Sequence, residues 1–272
     1  MQVLSIPIDY FIKNEDQILF MGIFGAFYRF GMKFKKSSQH LVYGRDVIHN
    51  WCEEVIHCAA QEKSFNILDV GCGKAEELTT LKATYGQRVN LFAIENHEPY
   101  RLECISKGIT PSDINIERDP FPFKDDFFDI IIINQVIEHC KELFFIFSEI
   151  SRILKKGGTL IVGVPNLAAW HDRFALLLGE QPTSIKVLGP HIRGFTKPGF
   201  SSFIQADSFF ELKETKGSGF YPFVPWMAKP LARWFPSLAS GIFFKVERTR
   251  KKGTFMEVLK SRYFETNFFT GT

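Results

Sequence analysis

The stretch Ile67–Leu78, ILDVGCGKAEEL, sets acids around a pair of glycines. An apolar run leads to Asp69 and Val70, then come Gly71, Cys72 and Gly73, and Glu76 and Glu77 open a charged helical pattern. A strand that passes through Gly-x-Gly into a helix lets backbone amides approach a ligand closely, at the end of a parallel sheet where such folds hold nucleotide-like cofactors. A dinucleotide fingerprint, G-x-G-x-x-G, would need a third glycine where Glu76 stands. A pyrophosphate would also meet Asp69, Glu76 and Glu77, each repulsion costing on the order of 1 kcal/mol or more at an intermediate dielectric. A sulfonium cation with an amino-acid tail would not, so the turn favours S-adenosylmethionine over a nicotinamide dinucleotide. Carboxylates at a helix start also stabilise that helix with no ligand at all. Further along, Glu95 lies roughly 20 residues past the turn, where an acid can accept both hydroxyls of a ribose. Glu117 closes a third β-rich run, placed to accept from an adenine amino group.

These residues need a sheet to hold them. From Phe65 the chain alternates short β-rich runs with helical patterns, the signature of a parallel sheet covered by helices. Strands are expected at Asn66–Val70, Val89–Glu95, Asp113–Glu117, Asp129–Asn134 and Gly158–Val164, with helices near Glu76–Tyr85, Glu98–Lys107 and Lys141–Leu154. In the last helix Leu143, Phe147, Ile150 and Leu154 recur at helical spacing, and Gly157 and Gly158 follow as a stop. The run FFDIIIIN is apolar throughout, as a central strand buried on both faces should be. A helix over Leu167–Leu178, a loop containing GPHIRGFTKPGF, and two more β-like runs, Phe209–Thr215 and Gly241–Arg248, complete an expected seven-stranded, mainly parallel sheet. Ahead of the sheet, Arg45–Ala60 is the best helix of an N-terminal helical cap, residues 1–63. An aromatic-rich insertion is expected at about 217–240.

With these elements in place, the chain resembles the class I S-adenosylmethionine-dependent methyltransferases, an α/β, Rossmann-like fold. LDVGCGKAEEL is similar to their first motif, AIENHEPY to their second, and IERDPFPFKDDFFDIIIINQVIEH to the stretch that runs into an E-H pair. Ser151–Gly158 is similar to the R-x-L-K-P-G-G turn before the fifth strand. RLECISKGI and VPNLAAWHDRFALLLGEQPTS resemble the branch related to the methionine-biosynthesis MetW proteins, and PHIRGFT an H-x-R-x-F-T segment of related methyltransferases. The resemblance is specific over about residues 64 to 165, and it makes 64–272 the methyltransferase domain. It implies that Gly71, Cys72 and Gly73 line the methionine part, that Asp69 orients its ammonium, and that Glu95 with Asn96 holds the ribose. Glu117 with Arg118 would reach the adenine, and Asn134 and Gln135 would face the methyl donor. Two departures stand out. Ala75 replaces a third glycine, tolerable where no positive φ is required, and Glu117 replaces the commoner aspartate.

On the acceptor side, His139 is either a base for a substrate proton or a hydrogen-bond partner of a loop carbonyl. His191 joins it as a catalytic candidate. With Arg193, His191 could bind a carboxylate or phosphate, Arg giving bidentate contacts, or both could anchor their loop. Asn166 is a further substrate-binding candidate. Cys72 is set aside as a nucleophile for want of a nearby base, and no metal site is expected.

Composition bounds the partners. The net charge of +3 over 272 residues, with no long basic stripe and no N/D-P-P-Y/F/W motif, argues against nucleic acid. The five cysteines form no C-x-x-C pair, and the first residues lack a secretory signal, so a reducing cytoplasm is expected. The thirty phenylalanines thicken toward both ends, in ILFMGIFGAFYRFGMKFKK and in the segment holding Phe223, Trp226, Lys229, Arg233, Trp234 and Phe235. That mixture suits an interfacial helix at a membrane surface, a lid over an apolar substrate, or a surface packed within the chain or across a homodimer. The function expected is methyl transfer to a small-molecule or glycan/lipid-linked acceptor. The alternative is a non-catalytic partner subunit that keeps the fold and binds the cofactor.

Overall fold

The computed structural model describes residues 44–59, 62–264 and 266–271. Most of the expected N-terminal cap, including MGIFGAFYRFGMKFKK, lies outside the described residues. Its best helix is present as α1, Arg45–His57, which buries Val47, Ile48, Trp51, Cys52 and Ile56 on one face.

Six strands form one sheet among the described residues, in the order β2-β1-β3-β4-β6-β5. They are β1 (Phe65–Val70), β2 (Val89–Ile94), β3 (Phe128–Asn134), β4 (Leu154–Pro165), β5 (Phe210–Ser218) and β6 (Gly241–Arg248). β2, β1, β3 and β4 run parallel; β6 is antiparallel to both β4 and β5. The crossovers are helical: α2 (Glu76–Tyr85), α3 (Glu98–Ser106), α4 (Leu143–Ile153), α5 (Trp170–Leu177), α6 (Lys197–Ile204) and α7 (Pro225–Trp234).

Strand alternation sorts the core. Ile130 and Ile132 of β3 pack with α1 and α2, through Trp51, Leu78 and Leu81. Ile131 and Ile133 pack on the other face with Phe147 and Ile150 of α4 and Phe200 of α6. Burial on both faces is why this strand is apolar throughout. The side of the sheet away from the parallel strands is closed by Arg248, almost fully buried at 2% exposure. Its guanidinium donates to the carbonyls of Ser151, Phe209, Thr249, Lys251 and Gly253 at 3.0–3.2 Å.

The seventh strand is a correction. Asp113–Glu117 forms no ladder; only an isolated bridge joins Ser112 to Ile94. The Asn115 amide donates to the Asp119 carboxylate at 2.7 Å, and Asn115 Oδ1 accepts from the Glu117 amide at 3.0 Å. Short polar side chains that take up neighbouring backbone groups divert the chain from strand into turn. The GPHIRGFTKPGF stretch is a loop only as far as Thr196. There the Thr196 hydroxyl accepts the Gly199 amide and Pro198 falls in the first turn, so α6 begins.

Candidate functional site

β1 pairs with β2 on one side and β3 on the other, and the ends of β1 and β3 flank the crevice where such sheets bind ligands. Gly71 follows β1 with φ of 72° and donates its amide to the Ile94 carbonyl at 2.8 Å. A Cβ on Gly71 would lie 2.5 Å from Val136 Cγ2, so glycine is required both for conformation and for space. Gly73, also at positive φ, has nothing within 4 Å of where a Cβ would stand, which leaves open space above the turn. Ala75, fully buried, has φ of 53° and precedes α2. The expectation that alanine is free of positive φ here is therefore corrected: the position is left-handed and the side chain is held there by the core around Leu78.

Acids surround this turn. Asp69 is 3% and Glu95 8% exposed. Glu95 reaches across from the end of β2: Oε2 accepts the Gly73 amide at 2.9 Å and Oε1 accepts the His97 amide at 2.8 Å. Burial, then the charges of Glu77 and Glu95, push the Asp69 carboxyl well above its ordinary range, with Arg45 opposing. Arg45 was not legible as a site residue. From α1 it pairs with Glu76, and its Nε donates to Glu77 Oε1 at 3.0 Å. One cation among Asp69, Glu76, Glu77 and Glu95 moderates the negative field without reversing it. Cys72 is buried with Sγ 3.7 Å from Cys104 Sγ, and burial raises its thiol pKa, so it stays protonated.

The remaining cofactor candidates spread unevenly. Asn96 is exposed in the loop after β2. Glu117 and Arg118 sit in the Asn115–Asp119 turn rather than at a strand end. Glu117 Oε1 accepts the amides of Lys141 and Glu142, the latter at 3.0 Å, and so caps the start of α4. Asn134 ends β3 with its Oδ1 where a Cβ on Gly163 would fall, 2.2 Å away, so Gly163 makes room for it. Gln135 follows at φ of 56°, its amide donating to the Gly163 carbonyl at 2.8 Å.

Two residues on, the turn Ile137–His139 meets the loop before α6. The Ile192 and Arg193 amides donate to the Glu138 carbonyl at 2.9 and 3.1 Å. Arg193 Nε donates to the Cys140 carbonyl at 3.0 Å, and its guanidinium also reaches the Lys141 carbonyl. These contacts tie the Arg193 loop to the chain after His139. The rings of His139 and His191 pack edge to face, centroids 4.8 Å apart. His139 Nδ1 donates to the Pro190 carbonyl at 3.1 Å; burial lowers its pKa, as does His191. Glu138, beside them, was absent from the sequence candidates although it is the acid of the E-H pair. It is 1% exposed, and burial raises its carboxyl pKa to about 8. Asn166, expected on the acceptor side, is bonded within the fold. It is fully buried, Nδ2 donating to the carbonyls of Ser237 and Ala239 at 3.0 and 2.8 Å and Oδ1 accepting the Ala168 amide at 3.0 Å.

A four-strand parallel sheet with this glycine turn, strand-end acids and an antiparallel β6 defines the class I S-adenosylmethionine-dependent methyltransferase fold. The chain belongs to the family described as "Methionine biosynthesis protein MetW", whose match spans residues 53–216. It is similar to a demethylmenaquinone methyltransferase of Listeria monocytogenes serotype 4a (strain HCC23), 26% identical over 133 residues, 46% of this chain and 56% of the relative. It is also similar to a ubiquinone biosynthesis O-methyltransferase of Pelagibacter ubique (strain HTCC1062), 24% identical over 167 residues, 58% of this chain and 66% of the relative. The chain thus spans between half and two thirds of the curated relatives it matches. Among solved structures, the CurJ carbon methyltransferase superposes with a TM-score of 0.54 at 13% identity, covering 75% of this chain and 54% of that one. At that identity the likeness concerns the fold.

Proposed function

We propose that the protein transfers a methyl group from S-adenosylmethionine to a small-molecule or lipid-linked acceptor. The single observation that carries the cofactor reading is Asp69, buried beside an open glycine turn, whose carboxyl is pushed well above its ordinary range by burial and then by the charges of Glu77 and Glu95. Such a carboxyl is stabilised as an anion by a cation placed next to it, and the cofactor's ammonium and sulfonium are cations. Bound there, the cofactor would supply a methyl group on positively charged sulfur. Asp69 would orient the ammonium, Glu95 would accept the ribose hydroxyls on the lone pairs its amide contacts leave, and Asn134 and Gln135 would border the methyl-bearing end. The chain's contribution is then chiefly alignment of two reactants.

Support for an apolar portion on the acceptor comes from the segment between α5 and the His191 loop. Leu177 at the end of α5 is 80% exposed, and Leu178, Val187 and Leu188 in that segment are 65%, 86% and 90% exposed. The relatives' printed names, which concern menaquinone and ubiquinone, agree with a small-molecule acceptor. Peripheral membrane contact is part of the same reading. α7 turns Ala228 and Ala232 inward and leaves Trp226 and Trp234 exposed beside Lys229 and Arg233. Among the described residues no helix is long and apolar enough to cross a membrane.

Calorimetry with S-adenosylmethionine, S-adenosylhomocysteine and NAD tests the cofactor. Saturable binding of the first two, weakened at least about tenfold by Asp69→Asn, is expected, since one lost charge contact is worth about 1.4 kcal/mol or more. Binding of NAD alone would refute the reading. Cofactor binding without release of S-adenosylhomocysteine, across hydroxylated-ring and isoprenoid acceptors, would instead favour the partner-subunit alternative.

A further inference from the structure

The Glu138 carboxylate is almost fully buried, and both of its oxygens are without a hydrogen-bond partner. Burying an acceptor-only group unpaired is strongly unfavourable, so a carboxylate held this way calls for a missing cation or donor. The two imidazoles nearest to it are pre-set to serve the same ligand. A carbonyl oxygen only accepts, so the Nδ1 atoms of His139 and His191, 3.1 Å from the Pro190 carbonyl and 2.7 Å from the Ser184 carbonyl, carry the ring protons. In the neutral imidazole each Nε2 is then the acceptor. Ser184 is itself fixed: the buried Asp172 carboxylate accepts the Thr183 amide at 2.7 Å, the Thr183 hydroxyl at 2.8 Å and the Ser184 hydroxyl at 2.7 Å. An imidazole whose Nδ1 proton is spoken for by an ordered oxygen is the arrangement that orients metal-binding histidines.

One ligand atom each from Glu138, His139 and His191 lie within 4.8 Å of one another. Bonds of about 2.1 Å in tetrahedral geometry would bring them to roughly 3.4 Å, a side-chain adjustment of about 1 Å. We propose that Glu138, His139 and His191 form a divalent-cation site. Two nitrogens and one carboxylate suit a borderline first-row ion such as zinc, rather than magnesium or calcium. Three protein ligands leave a coordination position open, as catalytic rather than structural sites do. Glu138 and His139 lie three and four residues after Gln135. On the methyltransferase reading, on which this one clause rests, the open position takes the acceptor's oxygen as an oxyanion whose proton has left to water. No metal was expected from the sequence, because the histidines lie 52 positions apart there and the burial of Glu138 has no sequence signature.

The test uses the full chain, stripped with a chelator and titrated with Co2+ by absorbance and with Zn2+ by calorimetry. One equivalent is expected to bind, with d–d bands of a low-coordinate nitrogen and oxygen site and without thiolate charge-transfer absorption. Glu138→Gln and His191→Gln are each expected to weaken binding by about 100-fold or more, whereas Glu138→Gln leaves the metal-free protein about as stable as before, because it exchanges one buried unpaired polar group for another of the same shape. No saturable binding at micromolar metal, or binding that both variants retain, would overturn the proposal. S-adenosylmethionine affinity, measured on the same samples, keeps the two readings separate: its loss with metal binding intact, or the reverse, identifies which one has failed.

Discussion

Replacing Gly71 by alanine imposes two separable costs. At φ of 72° the new Cβ enters the left-handed region, worth about 1–2 kcal/mol for a residue other than glycine. It also falls 2.5 Å from Val136 Cγ2 and 3.3 Å from Cγ1, an overpacking that costs about 1–3 kcal/mol because the turn and the loop after β3 must part. The reduced freedom of the unfolded chain returns about 0.4–1 kcal/mol. Gly71→Ala should thus lose about 2–4 kcal/mol. In a Val136→Ala background both close contacts are gone and Val136 Cβ, 3.5 Å away, is an ordinary neighbour, so only the conformational cost remains. Urea denaturation of the four proteins of this cycle, followed by circular dichroism, should show a favourable coupling of about 1–3 kcal/mol. Additivity within about 0.5 kcal/mol, or a single-variant loss below about 1 kcal/mol, would refute the account of the turn.

Asp69 makes stability pH-dependent. Its folded carboxyl titrates above the unfolded one, so its contribution is complete below the ordinary carboxylate range and is lost as pH rises toward the raised folded value. Asp69→Asn should flatten the fall of urea midpoint from mildly acid to neutral pH and raise the midpoint of the cofactor-free protein at neutral pH; an unchanged profile contradicts the buried-acid picture. Arg248→Met would leave five carbonyls without their donor and should cost about 3–5 kcal/mol, read by calorimetry as a fall in Tm of roughly 6–20 °C. A loss under about 1 kcal/mol would show that water replaces the guanidinium. For the membrane reading, the protein should float with liposomes containing anionic lipid, and the double variant Trp226→Ala, Trp234→Ala should not; flotation of both would remove α7 as the contact.

Periodicity and glycine placement made most of the framework legible. The helix Glu76–Tyr85 and strand Gly241–Arg248 have the bounds read from the sequence, and the apolar run ending at Asn134 is the doubly covered strand it was expected to be. What escaped were local turns without a periodic signal and one contact set by a distant partner. Asn115 and Asp119 turn a β-rich run aside by bonding their own backbone. Ala75 carries a left-handed backbone with no residue-type signal for it. Arg45 meets the acids of α2 from more than thirty positions away. The site divided in the same manner. The meeting of Glu95 with the glycine turn was suggested by spacing, whereas the contacts of Glu117 with the amides before α4 and of Asn166 with the Ser237 and Ala239 carbonyls depend on chain brought from afar. Glu138 draws its interest from buried carboxyl oxygens that lack a hydrogen-bond partner, which only packing reveals. The Thr196–Pro198 start of α6 was readable from residue types and was passed over within a loop.

The guanidinium of Arg45 belongs to a helix that precedes the sheet, yet it tempers the acids at the mouth of the crevice. A chain trimmed to start at Phe65 would lose that brake. Its pocket would draw cations more strongly while its folded form, burdened by uncompensated like charges and by the apolar surface Trp51 now covers, would be harder to keep. Attraction for ligand and durability of the scaffold are thereby set against each other by one side chain outside the sheet that both depend on.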